Sequence, residues 1–170
     1  MKKTFLLAVA VALLTGCGLL SNGASSTPAA TTTTNTTSNA LTAGQGAGTA
    51  LHALYTQYKA DGKYDYTNLQ NAMNTVSLLA NCEGLKTGYK DKTYLKDFGK
   101  GMIASSLGLV TQSNVQSVTN SLVEMVKSNE NVQTAATQTQ SAANTTAGYL
   151  STASQYAGAI SSLLSAFGNK

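Results

Sequence analysis

The chain of 170 residues contains no arginine; all eleven of its basic residues are lysines. Arginine's planar fork reads guanine edges and grips phosphate, so its absence argues against nucleic acid as a partner. Tryptophan is also absent, there is one histidine, His52, and there are only seven acidic residues. That leaves little material for acid–base catalysis or for a carboxylate metal site. Two cysteines, Cys17 and Cys82, are too few for a disulfide-stapled fold or a cysteine-built zinc site. Pro28 is the only proline, so no ring interrupts a helix anywhere after it.

What the chain does have begins at its N-terminus. Met1-Lys2-Lys3 precede an apolar run from Phe5 to Leu14, which closes on Leu14-Thr15-Gly16-Cys17. A membrane-spanning helix needs about twenty apolar residues, and this run is much shorter. A charged start, a short apolar core and small residues before the cysteine form a processing signal rather than a span. The pattern resembles the signal peptide of bacterial lipoproteins, with L-T-G-C as the lipobox. The resemblance implies a diacylglyceryl group on the Cys17 thiol, cleavage after Gly16 and acylation of the new amino terminus. Two or three acyl chains hold a protein stably at a membrane without any spanning segment. The resemblance also bears on destination: Gly18 stands where an aspartate commonly retains such proteins at the inner membrane. No charged residue occurs from Gly18 to Tyr58, so the acidic export signal of surface lipoproteins is missing as well. The expectation is an outer-membrane anchor facing the periplasm. With Cys17 lipidated, Cys82 has no intrachain partner and reads as a small buried hydrophobe. Intermolecular pairing is its alternative.

Removing residues 1–16 leaves nine lysines against seven acids. Residues 17–42 read as the lipidated cysteine and a flexible Ser/Thr-rich tether. Their few large apolar groups cannot offset the entropy of ordering the backbone. Residues 43–170 read as one helical domain. Leu51, Leu54, Tyr55 and Tyr58 share one helix face, and Asp61-Gly62 ends that segment. Gly44, Gly46 and Gly48 read as a flexible entry to it. Thr67 is the expected cap of a second helix whose stripe is Leu69, Ala72, Met73, Val76, Leu79 and Ala80. A third helix, from Thr93 or Tyr94 to Val110, turns Leu95, Phe98, Met102, Leu107 and Val110 inward. Gly99, Gly101 and Gly108 weaken it, and close packing against a neighbour is the usual compensation.

Ser113 is the expected cap of the next helix. From Val115 to Phe167 apolar or small residues recur at alternating spacings of three and four. Val115, Leu122, Leu150 and Leu164 mark one seam position; Val118, Met125, Ile160 and Phe167 mark the other. This is the repeat of helices packing side by side. Its middle, at Asn129, Val132, Ala136 and Thr139, is weak. A single helix over the whole stretch would be about 80 Å long and need a partner along its length. The reading adopted is a break near Asn129, with Asn131 capping a helix that folds back. The fold class is then all-α, a four- or five-helix bundle behind the tether.

Chemistry is sparse. No G-x-S-x-G surrounds any serine, and His52 reads as an ordinary helix histidine. Asp61-Gly62-Lys63-Tyr64-Asp65 lacks the ligands of a calcium loop and reads as a turn. No cofactor or metal is expected. Six of the eight tyrosines lie between Tyr55 and Tyr94, and Lys86, Lys90, Lys92, Lys96 and Lys100 crowd the same region. The expected function is a non-enzymatic structural or protein-interaction module of the envelope, using the 115–167 seam toward itself or another protein. The alternative is capture of a glycan or small ligand by segment 55–100, with Tyr64, Tyr66 and Lys90 as the surface that stacks and attracts.

Overall fold

In the computed structural model, residues 33–127 and 145–168 are described. Cys17, the first part of the expected tether and the expected break at 128–131 lie outside the described residues. Six helices and no strand occur among the described residues, as an all-α fold requires. They are α1 (Thr33–Asp61), α2 (Leu69–Cys82), α3 (Leu85–Gly88), α4 (Lys92–Ser105), α5 (Val115–Lys127) and α6 (Thr146–Gly168).

Helix α1 starts well before the expected boundary at Ala43, and Ala40 is fully buried, so the tether does not reach residue 42. The reason lies in its packing partner. α1 lies along α4, and its buried residues include Ala40, Gly44, Ala47, Gly48, Leu51 and Leu54. Gly44 and Gly48 are therefore not a flexible entry. A Cβ on Gly44 would fall on the carbonyl of Phe98, and one on Gly48 would lie 2.7 Å from the Met102 carbonyl oxygen. From the other side, a Cβ on Gly101 would collide with the Leu41 carbonyl and come within 2.7 Å of the Gln45 nitrogen. The backbones approach because neither helix has a side chain in the way. Ser105 Oγ donates to the Gln45 carbonyl oxygen across the same contact at 2.7 Å. Gly46 faces α2 instead, against the Asn81 side chain.

α1 ends where Asp61-Gly62 predicts. Gly62 takes φ 70°, and its N–H donates to the Tyr58 carbonyl at 2.9 Å. Asn68, not Thr67, caps α2, accepting from the N–H groups of Gln70 and Asn71 at 2.9 and 3.2 Å. Thr67 is held by Asp65, whose Oδ1 accepts from its N–H and its hydroxyl. Asp65 thus closes a turn, as expected for that segment. The buried stripe of α2 is rotated from the predicted one. Ala72, Val76 and Leu79 are inside, but Leu69, Met73 and Ala80 are exposed, and Asn71, Thr75, Leu78 and Cys82 take their place. Two polar residues lie on this face, Thr75 fully paired and Asn71 paired through Nδ2 while its Oδ1 has no partner among the described residues. The Thr75 and Tyr64 hydroxyls sit 2.6 Å apart, and Asn71 Nδ2 donates to the Asp65 carbonyl at 3.0 Å.

α4 stops at Ser105, short of Val110. The chain then turns through Leu107 at φ 49° and Gly108 at φ 86°, so Leu107 is 78 % exposed rather than inward. The buried Ser106 hydroxyl accepts from the Val110 N–H at 2.9 Å and holds this turn. Ser113 does not cap α5; its hydroxyl pairs with that of Thr111 at 2.8 Å. Asn114 instead clasps the loop, accepting from the Thr111 N–H at 2.7 Å and donating to the Leu109 carbonyl at 3.0 Å.

The described parts of the seam close within the chain. Val118, Leu122, Met125, Ile160, Leu164 and Phe167 are all buried in one core, together with Leu51, Phe98 and Leu79. α5 and α6 face each other across a cleft lined by Met125 and Leu163, which one straight helix over 115–167 would not allow. In the described parts of the seam the large apolar residues therefore have intramolecular partners, and they are not free there for self-association or an envelope partner. Within α6, Tyr156 is 2 % exposed and its hydroxyl has no hydrogen-bond partner among the described residues. An unsatisfied buried polar group costs about 1–3 kcal/mol. Tyr156→Phe is therefore expected to leave stability unchanged or raise it by up to about 1 kcal/mol in urea denaturation, since it removes the unpaired group and keeps the ring. A clear loss of stability would mean that the hydroxyl is bonded.

Candidate functional site

Asp91 fixes the start of α4 as its N-cap, with Oδ1 accepting from the Thr93 and Tyr94 N–H groups at 2.8 and 3.3 Å. That sets the rotation of the helix and hence which residues face outward together. Lys92, Lys96 and Lys100 succeed one another at four-residue intervals and form one exposed row. Leu95, Gly99 and Ile103 form a second row beside it, one step closer to the core. α5 supplies the opposite wall with Val115, Gln116 and Thr119, and Tyr89 with Lys90 closes one end. The result is an open groove of about 710 Å³ between α4 and α5 with four lysines on its rim, an apolar floor and, among the described residues, no acidic side chain lining it.

The lysines are not equivalent. Lys100 Nζ is 3.0 Å from Oδ1 of Asp97, which is buried behind the row. Lys90 Nζ lies 5.6 Å from the centre of the Tyr89 ring, and Lys127 approaches the same ring at 4.9 Å. Lys127 is also 3.4 Å from Glu124 Oε1. Among the described residues Lys92 and Lys96 have no carboxylate within ion-pair distance. With Lys100 offset by Asp97, the positive charge the rim presents comes from Lys90, Lys92 and Lys96, and it attracts an anion to the groove.

Of the three residues singled out from the sequence, only Lys90 lines this groove. Tyr64 is buried under α2 with its hydroxyl committed to Thr75, so it is not a ligand surface. Tyr66 is 41 % exposed but stands apart from the groove, in the turn before α2. Most of the tyrosine cluster is structural. Tyr94 stacks on Phe98 at 6.4 Å, and α3 passes over it so closely that a Cβ on Gly88 would strike its ring. Tyr55 stands edge-on to Phe167 at 5.7 Å and donates to the Phe167 carbonyl at 3.4 Å. The lysine crowding was visible in the sequence, and its four-residue spacing was the signal for a single face. Leu95, Gly99 and Ile103 were missed as a floor because a half-buried apolar row looks the same as a core stripe until a neighbouring helix leaves it open.

A second cleft, of about 490 Å³, holds His52 beside Tyr55, Ser113, Asn114 and the exposed Leu107. Among the described residues no carboxylate lines it. Among the described residues no three His, Cys, Asp or Glu side chains gather as a metal site would require.

Burial governs the titration of several groups. It pushes the phenols of Tyr64, Tyr94 and Tyr156 above their ordinary value of 10.0, with the adjoining Cys82 a smaller cause for Tyr94. It pushes the Cys82 thiol further, well above 9.0. Cys82 is thus the buried small hydrophobe expected, and not placed for intermolecular pairing. These raised values set how stability depends on pH. In alkali the unfolded chain sheds these protons first, so it binds fewer protons than the folded chain and stability falls as pH rises. The urea midpoint is expected to hold below pH 9.0 and to drop progressively beyond pH 10.0. A flat profile to higher pH would contradict the burial of these groups.

A family model for the prokaryotic membrane lipoprotein lipid attachment site matches residues 1–17, ending on Cys17. The N-terminus therefore carries a bacterial lipoprotein signal, and the chain is a lipid-anchored protein of the bacterial envelope. No curated protein and no solved structure matches the chain. No helix among the described residues is long and apolar enough to cross a membrane.

Proposed function

We propose that the chain is a non-enzymatic binding lipoprotein, lipidated at Cys17 and held at the outer membrane facing the periplasm, whose helical domain captures an anionic ligand in the α4–α5 groove. One observation carries the binding reading: Lys90, Lys92, Lys96 and Lys100 rim a groove that, among the described residues, no acidic side chain lines. This is the ligand-capture alternative read from the sequence, moved from Tyr64 and Tyr66 to the face of α4. It gains because the seam offered by α5 and α6 is spent on the core.

Anchoring and binding are tested separately. Cys17→Ala is expected to abolish lipid labelling and shift the protein from the detergent phase to the aqueous phase; unchanged partitioning would sink the anchor at that residue. For binding, the mature chain with Cys17→Ala would be titrated with dextran sulfate and with tetradecyl phosphate. At least one should bind, and Lys92→Glu with Lys96→Glu should weaken that binding by tenfold or more. Both lysines are exposed, so the double variant should keep the fold. Failure of both anions to bind would end the ligand reading.

A further inference from the structure

The rim and the floor of the groove ask for different chemistry, and that difference narrows the ligand. An anionic polysaccharide would satisfy Lys92 and Lys96 but leave Leu95, Ile103 and Val115 against water or sugar hydroxyls. A purely apolar ligand would cover the floor and leave the lysines idle. From the proposed anionic-ligand reading, on which this step rests, we infer that the groove takes a single-chain anionic amphiphile, its acyl chain along the α4 floor and its phosphate or carboxylate head among the lysines.

Three features support this. The apolar row Leu95, Gly99 and Ile103 advances along α4 for about 12 Å, so the floor is a channel rather than a spot. The lysine row runs parallel to it, one residue further along the helix surface, so head and chain are served by the same element. The third is Gly99. A glycine inside a helix lowers its stability, and Gly101 has an evident reason for being one in the backbone of α1. Gly99 has no such backbone neighbour: a Cβ there would meet only Val115 Cγ2, at 3.0 Å. Its missing side chain deepens the floor midway along the channel. The groove volume of about 710 Å³ falls within the range of small-ligand sites, about 300–1,000 Å³.

The experiment uses the mature chain with Cys17→Ala, which removes its own acyl groups as competitors. Isothermal titration calorimetry would compare tetradecyl phosphate below its micelle concentration, tetradecyl maltoside (same chain, no charge) and dextran sulfate (charge, no chain). Saturable one-to-one binding of tetradecyl phosphate is expected, at least tenfold tighter than the maltoside. Gly99→Leu, which fills the floor, should weaken it tenfold or more. If that variant does not fold, Leu95→Gln tests the floor and Lys96→Glu the rim, each with a similar loss expected. Dextran sulfate binding without tetradecyl phosphate would overturn the amphiphile and leave the anionic groove standing; silence from both would overturn the two together. Equal affinity for phosphate and maltoside would remove the lysines from recognition. Full binding by Gly99→Leu, or binding to phosphatidylglycerol vesicles with none to the monomeric phosphate, would overturn the groove as the site.

Discussion

Gly101→Ala is expected to destabilise the helical domain by about 2 kcal/mol, whereas the same change at Gly158 should stabilise it by about 0.5–1 kcal/mol. Both glycines sit inside helices, where alanine is normally the better residue. Gly158, in α6, is exposed and has nothing within 4 Å of the position a Cβ would take, so only the propensity gain applies. At Gly101 that gain is opposed by α1. The added methyl would press on the Leu41 carbonyl and stand 2.7 Å from the Gln45 nitrogen, and backbone cannot rotate aside as a side chain can. α1 and α4 would have to separate, loosening the cover over Phe98 and Met102, both fully buried. Overpacking of this kind typically costs about 1–3 kcal/mol. Urea midpoints for the two variants and the parent chain would decide it. A Gly101→Ala chain as stable as Gly158→Ala would mean that the two helices do not approach as described.

Leu164→Ala is expected to cost about 3–4 kcal/mol, and Leu122→Ala about the same, in a domain that remains unassociated. Each side chain is fully buried, one on α6 and one on α5. Removing three carbons loses their transfer free energy and leaves a cavity that fixed helices only partly fill. Such a loss is a large fraction of the roughly 5–15 kcal/mol available to a domain. Leu150 belongs to the same sequence repeat but is only half-buried, so Leu150→Ala should cost distinctly less. The graded series separates a seam closed within the chain from one reserved for a partner. In the second case these substitutions would alter association in light scattering and leave the unfolding of the unassociated chain nearly untouched.

The class of the fold was legible in the residues. Apolar spacings of three and four at Leu51, Leu54, Tyr55 and Tyr58, the absence of proline after Pro28 and the Asp61-Gly62 stop all act over a turn or two of chain. Helix and terminus therefore arise from local sequence. The lipoprotein signal is likewise a contiguous string from Met1 to Cys17 that needs no fold around it to be recognised. Non-local facts were not legible. Residues 33–42 look like a linker because threonine, asparagine and alanine carry no hydrophobic stripe, yet they belong to α1, whose small residues let it close on α4. The α2 stripe was misplaced because Asn71 and Thr75 count as outward by polarity until Asp65 and Tyr64 meet them. The candidate site divides in the same way. Lysines at 92, 96 and 100 were fixed on one helix face by their spacing alone. Whether that face borders solvent, core or a groove depended on where α5 came to rest, and so did the fate of Tyr64. Local periodicity and the export signal were determined by the sequence itself. Which surfaces were buried and which were left open was decided only by tertiary packing, because burial is a property of pairs of elements and no single segment contains it.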